Sequence, residues 1–117
     1  LDLARASRAL WATASTWVHA ERADSQLAHC HAVLGQGAEA LAHARACLAA
    51  IEAHADAPEA DAFERFFAHE ALVVAHRAAG DGTAAADQRA RMIACRDRID
   101  DPGLRAWADE ALAALGP

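Results

Sequence analysis

Two glycine pairs, Gly35-Gln36-Gly37 and Gly80-Asp81-Gly82, interrupt an otherwise strongly helix-forming chain at points 45 residues apart. Glycine adopts a left-handed backbone without steric cost, so each pair reads as a helix C-cap followed by a chain reversal. What lies between them is helix by composition. Ala, the best helix former, supplies 36 of the 117 residues, whereas Val, Ile and Thr together number ten and Tyr is absent. An all-β fold is excluded and a sheet-based α/β fold is disfavoured. The length suits one domain, which at this size buries roughly two-thirds of its unfolded surface and needs no disulfide staples.

Other punctuation sets the helix count. Asp56-Ala57-Pro58 and Asp100-Asp101-Pro102 combine a capping Asp with a Pro suited to a first turn. Ser15 or Thr16 serves as a further N-cap, where the stripe Leu3, Leu10, Trp17 loses phase because Asp24 comes next. Six helices follow, near 2–14, 17–34, 37–55, 58–79, 83–99 and 103–115. Leu41, Ala44, Leu48, Ile51 and Ala55 step by three and four along one of them, and Phe63, Phe67, Ala71, Val74 and Ala78 along the next. Phe66 and Val73 widen the second stripe, so the 58–79 helix packs on two sides and is the central element. Phe63, Phe67, Leu72, Val73, Leu41, Leu48 and Ile51 are expected to be buried together. Leu27, Leu34, Leu41 and Leu48 match zipper spacing, but the glycines cut that run.

Shifting the chain by 45 residues places Leu27 on Leu72, His31 on His76, Gly35 on Gly80 and Gly37 on Gly82. It also places Ala40 on Ala85, Ala49 on Ala94 and Asp56 on Asp101, with Cys47 opposite Met92. Two helical hairpins of one design are the simplest cause. The stretches beginning His31-Ala-Val-Leu-Gly35 and His76-Arg-Ala-Ala-Gly80 resemble the middle of a tetratricopeptide repeat (TPR), with Gly at the reversal and Ala five residues beyond. They depart from it in their 45-residue period, in His at the large-aromatic position and in lacking the Trp-Leu-Gly start. The stretches Ser7-Arg8-Ala-Leu-Trp11 and Ala68-His69-Glu70-Ala71-Leu72 are also similar to short bacterial TPR-like proteins of no assigned activity.

The resemblance implies a single all-α domain over 1–117, coiled as a right-handed superhelix of antiparallel hairpins. An N-terminal helix (1–16), two repeats (17–57 and 58–101) and a C-terminal capping helix (102–117) make it up. If an end leaves apolar surface uncovered, the chain forms a homo-oligomer. The first helix of each hairpin would line a concave groove, placing Arg22, Ser25, His29 and Ala32 of one hairpin beside Phe67, Glu70, Val74 and Arg77 of the next. The family's acid-clamping Lys and Asn are missing, so a mixed groove is expected. In it Arg22, Arg77 and His29 donate, Glu70 accepts and Phe67 anchors.

Charge and motifs narrow the chemistry. A net charge of −6 argues against nucleic acid, which needs a basic face. No apolar run reaches a membrane-spanning length, and the N-terminal residues lack a signal-peptide profile, so a cytoplasmic protein is expected. Cys30, Cys47 and Cys95, odd in number and without Cys-x-x-Cys spacing, read as reduced, buried thiols. His29 and His31 diverge on a helix, and His69 and His76 lie two turns apart, so neither pair holds one ion. His43 and Cys47 could chelate, with Glu39 a turn before, but one helix closes no tetrahedral site; a buried Cys beside a surface His is the plainer reading. His31 and His76 are either hydrogen-bonded imidazoles in the hairpins or a pH switch. Glu70 is either a groove residue or half of an inter-helix salt bridge. The Arg89, Arg91, Arg96 and Arg98 cluster reads as a solvated face with pairs such as Asp87–Arg91. No catalytic or phosphate-binding motif is present, and no cofactor is expected. The expected function is non-enzymatic binding of a peptide or protein partner in the groove. The alternative is a small-molecule or metal-binding domain using His and Glu.

Overall fold

A computed structural model describes residues 17–117. Among them are five α-helices and no strand: α1 (Trp17–Val33), α2 (Gly37–Ala53), α3 (Ala62–Ala78), α4 (Gly82–Asp97) and α5 (Pro102–Leu115). The helix expected at 2–14, with its neighbouring cap at Ser15 or Thr16, lies outside the described residues. None of the described helices is long and apolar enough to cross a membrane.

The two glycine reversals have the same construction. Gly35 and Gly80 adopt φ of 73° and 79°. In the first, the N–H of Gly35 donates to Ala32 O (3.0 Å) and that of Gln36 to His31 O (2.8 Å). In the second, Gly80 donates to Arg77 O (3.1 Å) and Asp81 to His76 O (2.9 Å). These paired bonds satisfy the last carbonyls of α1 and α3, which a helix end otherwise leaves open. Helix starts are fixed by Asp. Asp61, Asp81 and Asp101 each accept a bond from the backbone N–H three residues on, at 2.9–3.0 Å.

One start differs from expectation. The helix placed at 58–79 begins at Ala62, because Asp61 rather than Asp56 supplies the cap. Pro58 sits in a turn whose bonds run from Ala57 N–H to His54 O and from Ala60 N–H to Ala57 O. An Asp followed closely by Pro marks a turn as readily as a helix start.

Helix α3 packs against all four of the other helices, as its broad apolar arc requires. Its buried side is rotated from the stripe read in the sequence. Phe66, Ala68, Ala71, Leu72, Val73 and Ala75 are closed off, while Phe63, Phe67, Val74 and Ala78 are half-buried. The seven residues expected in one core divide among three clusters. Leu72, with Leu41 and Leu48 at its edge, joins an Ala-lined layer of Ala28, Ala40, Ala44, Ala71 and Ala75 between α1, α2 and α3. Val73 joins Phe66, Ala85, Met92, Ile99 and Ala108, with Phe63 and Phe67 at the margin. Ile51 packs with Cys47, Ala60 and Ala68. The expectation that all three thiols are buried holds only for Cys47, since Cys30 is exposed and Cys95 half-buried.

Gly37 has a role that its spacing did not reveal. A Cβ built there would lie 2.6 Å from the Cα of Ala79, so the first reversal sits directly on the C-terminal end of α3. Its counterpart Gly82 has nothing within 4 Å. Gly37→Ala should therefore destabilise by about 1–3 kcal/mol despite its better helix propensity. Gly82→Ala should be neutral or stabilising by up to about 1 kcal/mol; urea melts of the two variants check the contrast. Phe66→Ala should cost about 3–5 kcal/mol by opening a closed core, and Phe67→Ala clearly less.

Candidate functional site

Helices α1 and α2 run antiparallel, and their contact is a ladder of paired side chains. Cys47 Sγ donates to Glu21 Oε2 at 3.1 Å, and one turn along, His43 Nδ1 meets Asp24 Oδ1 at 3.1 Å. Ala28 and Ala40 form the next rung, and His31 Nδ1 meets Gln36 Oε1 at 2.6 Å at the reversal. The His31 and His43 rings stack with centroids 5.4 Å apart. Thus the imidazole of the first hairpin is buried and hydrogen-bonded. Asp24, whose charge signalled a loss of phase in the sequence, is a buried member of the face. Its pairing with His43 makes a buried carboxylate tolerable.

The second hairpin carries the same ladder with different chemistry. A shift of 45 turns Asp24–His43 into His69–Gln88, which also bond, at 2.7 Å. It turns Glu21–Cys47 into Phe66–Met92, both closed core residues. The first hairpin therefore has a carboxyl where the second has a phenyl ring. Glu21 is only 2% exposed, and its Oε1 has no hydrogen-bond partner among the described residues.

Glu21 lines an open cavity of about 610 Å³ between α1, α3 and α5, with Cys47 also contributing from α2. Arg22, Ser25 and Gln26 line it from α1, Phe63, Glu64, Phe67 and Ala68 from α3, and Trp107 from α5. One wall is polar. Arg22 donates through Nε and Nη2 to the two oxygens of Glu64, at 3.0 and 2.8 Å, and Asp61 caps the turn that presents Glu64. The other wall is aromatic, with the Phe63 and Phe67 rings packed edge-on at 5.0 Å and Trp107 at 5.6 and 6.0 Å from them.

The electrostatics follow from two carboxyls sharing one guanidinium. Burial, and then the neighbouring Glu64, push the Glu21 carboxyl up to about 9, so it is protonated at neutral pH. Burial alone would raise Glu64 as well, but the bonds from Arg22 and the contact with Glu21 hold it below the ordinary carboxylate range. Burial, reinforced by the adjoining Glu21 carboxyl, raises the Cys47 thiol. It is a hydrogen-bond donor here, not a thiolate nucleophile.

The seven residues assigned to the groove lie along one face but in two places. Arg22, Ser25 and Phe67 meet in the cavity. His29, Val74 and Arg77 line a second depression of about 400 Å³. Glu70 pairs with His29 across α1 and α3, Oε1 to Nε2 at 3.5 Å, so it is an inter-helix bridge. Arg77 reaches away, donating to Leu115 O and Pro117 O at 2.7 and 2.8 Å and tying the end of α5 to α3. His43 and Cys47 bond to separate α1 carboxyls, and no group of three or more metal-ligating side chains gathers among the described residues. The Arg91–Asp87 pair forms at 3.3 Å on the exposed face of α4, and Arg96 reaches across to Asp109 of α5.

Sequence reading missed Glu21, Glu64 and Trp107. The signal for Glu21 was present in the 45-residue shift that sets it on Phe66. Glu64 and Trp107 had none, because only the packing of α3 and α5 brings them to the cavity.

The charge state of Glu21 makes a measurable pH dependence. In the unfolded chain this group ionises near 4.5 and in the folded chain near 9, so the folded state holds an extra proton between those values. Its stabilising contribution is complete below the lower value and is lost as pH rises toward the upper one. Glu64 has the opposite sign, and its contribution is lost as pH falls through the carboxylate range. The melting temperature of the parent should therefore fall between about pH 5 and 8, whereas that of Glu21→Gln should fall less, the two being similar at the acid end. Identical pH profiles would show that Glu21 is ionised in the fold.

Set beside known proteins, the chain matches no family model, no curated protein and no solved structure.

Proposed function

We propose that this chain is a non-enzymatic, TPR-like scaffold of the cytoplasm that binds an extended segment of a peptide or protein partner along the face shared by α1 and α3. The observation that carries the reading is the convergence of Arg22, Ser25 and Phe67 on one open cavity. The TPR resemblance, aligned on the glycines, implies a partner-facing side for those three residues without reference to any cavity. The matching bonds at Gly35 and Gly80 support the repeat itself.

The face suits a segment with mixed chemistry. Arg22 is 54% exposed while bonded to Glu64, so it retains donors for a partner's carbonyls. Phe67 and Trp107 offer the apolar contact that anchors a side chain, and the His29–Glu70 pair lies on the way to the second depression. Desolvated Arg and aromatic groups supply most of the binding energy at such surfaces, whereas exposed pairs such as Asp87–Arg91 supply little.

Panning a random-peptide display library on the folded chain tests this. Selected peptides should bind in the micromolar range, and Phe67→Ala and Arg22→Ala should each weaken them by about tenfold or more, while Arg91→Ala leaves them unchanged. Peptides that bind all three variants equally would remove the groove assignment.

A further inference from the structure

The cavity carries information about its occupant. Glu21 stands where the second hairpin closes its core with Phe66. A carboxyl there is costly because it is buried: as a carboxylate its Oε1 has no donor among the described residues, and as the acid it shares its proton with Glu64. The groups facing it come from three helices. From α1 there is Arg22, with Nε 3.8 Å from Oε1, and Asp24 one turn away. From α2 there is the Cys47 thiol, and from α3 there is Glu64, whose oxygens already hold Arg22, with Asp61 at the start of that helix. With Glu21 protonated, Glu64 and Arg22 balance each other, and Glu21 is a second carboxyl with no cation of its own. The opposite wall of Phe63, Phe67 and Trp107 is an aromatic surface, with Trp107 57% exposed at the mouth. Aromatic faces attract cations, and a low-dielectric wall strengthens the charge pairing opposite it. The volume of about 610 Å³ suits a small molecule or one long side chain.

We propose that this cavity is a recognition site for an organic cation, an amidine, guanidinium or ammonium group on an apolar body, with its head against the Glu21–Glu64 carboxyl pair and its body on Phe63, Phe67 and Trp107. The cation brings a second positive charge, Glu21 ionises beside the already ionised Glu64, and the proton of Glu21 leaves to solvent. This deepens the groove reading by naming the side-chain class the cavity takes, and it rests on that reading only where the cation belongs to a peptide. Free amines and the basic side chain of a partner share the chemistry.

Benzamidine, which stays cationic through neutral pH, is the probe, and uncharged benzamide is its isosteric control. Isothermal titration in buffers of different ionisation enthalpy should show saturable benzamidine binding with proton release approaching one per site. Affinity should rise by up to about tenfold per pH unit between about pH 6 and 8. Benzamide should bind at least about tenfold more weakly. Glu21→Gln, which keeps the shape of the neutral acid, should lose about tenfold or more and release no proton, and exposed Trp107→Ala should weaken binding severalfold. Acetyl-Ala-Arg-Ala-amide and its Gln counterpart separate the sources. If the Arg peptide binds and the Gln peptide does not, a partner side chain is a competent occupant. If benzamidine alone binds, the cation site stands as a small-molecule site, and failure of the displayed peptides would then fall on the groove reading. Equal binding of benzamide and benzamidine, unchanged binding by Glu21→Gln, or no saturable cation binding while selected peptides still bind would each overturn the cation site.

Discussion

The rest of the fold depends on how closely α1, α2 and α3 approach one another. Ala28, Ala40, Ala44, Ala71 and Ala75 form the layer between them, and Gly37 abuts the backbone of Ala79 with no room for a Cβ. Short side chains allow helix axes to come together at the lower end of the usual separation and bring backbone against backbone. Such a layer contributes little apolar area per residue. The larger buried groups gather instead on one side of α3, where Phe66, Val73 and Met92 make the bulkiest cluster.

A thin layer has a second consequence. With little apolar volume available, the α1–α2 contact is completed by polar groups, and a buried polar group is tolerable only when it is bonded. Asp24 with His43 meets that condition, and His69 with Gln88 repeats it in the second hairpin, while buried His31 bonds Gln36 through Nδ1 with its Nε2 unpartnered. Glu21 meets it by half, through Cys47 alone. Glu21 is the buried carboxyl of this ladder whose rung opens onto a cavity. In the second hairpin the same rung is apolar and closed, so the two hairpins differ there in exposure to a cavity.

The cavity itself is a product of adjacent residues with opposite fates. Phe66 turns into the core and Phe67 onto the open wall, joined there by Phe63 and Trp107. Arg22 and Glu64 hold the opposite wall by a two-point ion pair across α1 and α3, so its polar groups are positioned before anything binds. The cavity thus sets preorganised polar groups beside an aromatic surface. The thiol beside them is held protonated and serves to orient Glu21.

What the sequence by itself determined is local. Gly35 and Gly80 end helices because no other residue takes that backbone cheaply, Asp101-Pro102 starts one, and the Ala content makes most of what lies between helical. The bond of His31, one of the two readings its position allowed, depends on Gln36 five residues away and is local for the same reason. The phase of α3 was not legible, because Phe63, Phe66 and Phe67 are equally apolar and only the docking of four helices decides which of them is enclosed. Nor was Asp24, whose charge reads as surface until His43 is set opposite it. Tertiary structure alone decided that Arg22 meets Glu64, that Trp107 reaches the Phe63–Phe67 wall, and that Glu21 is buried with one oxygen unpartnered. Each is a contact between helices far apart in the chain, and periodicity carries no information about which distant face arrives.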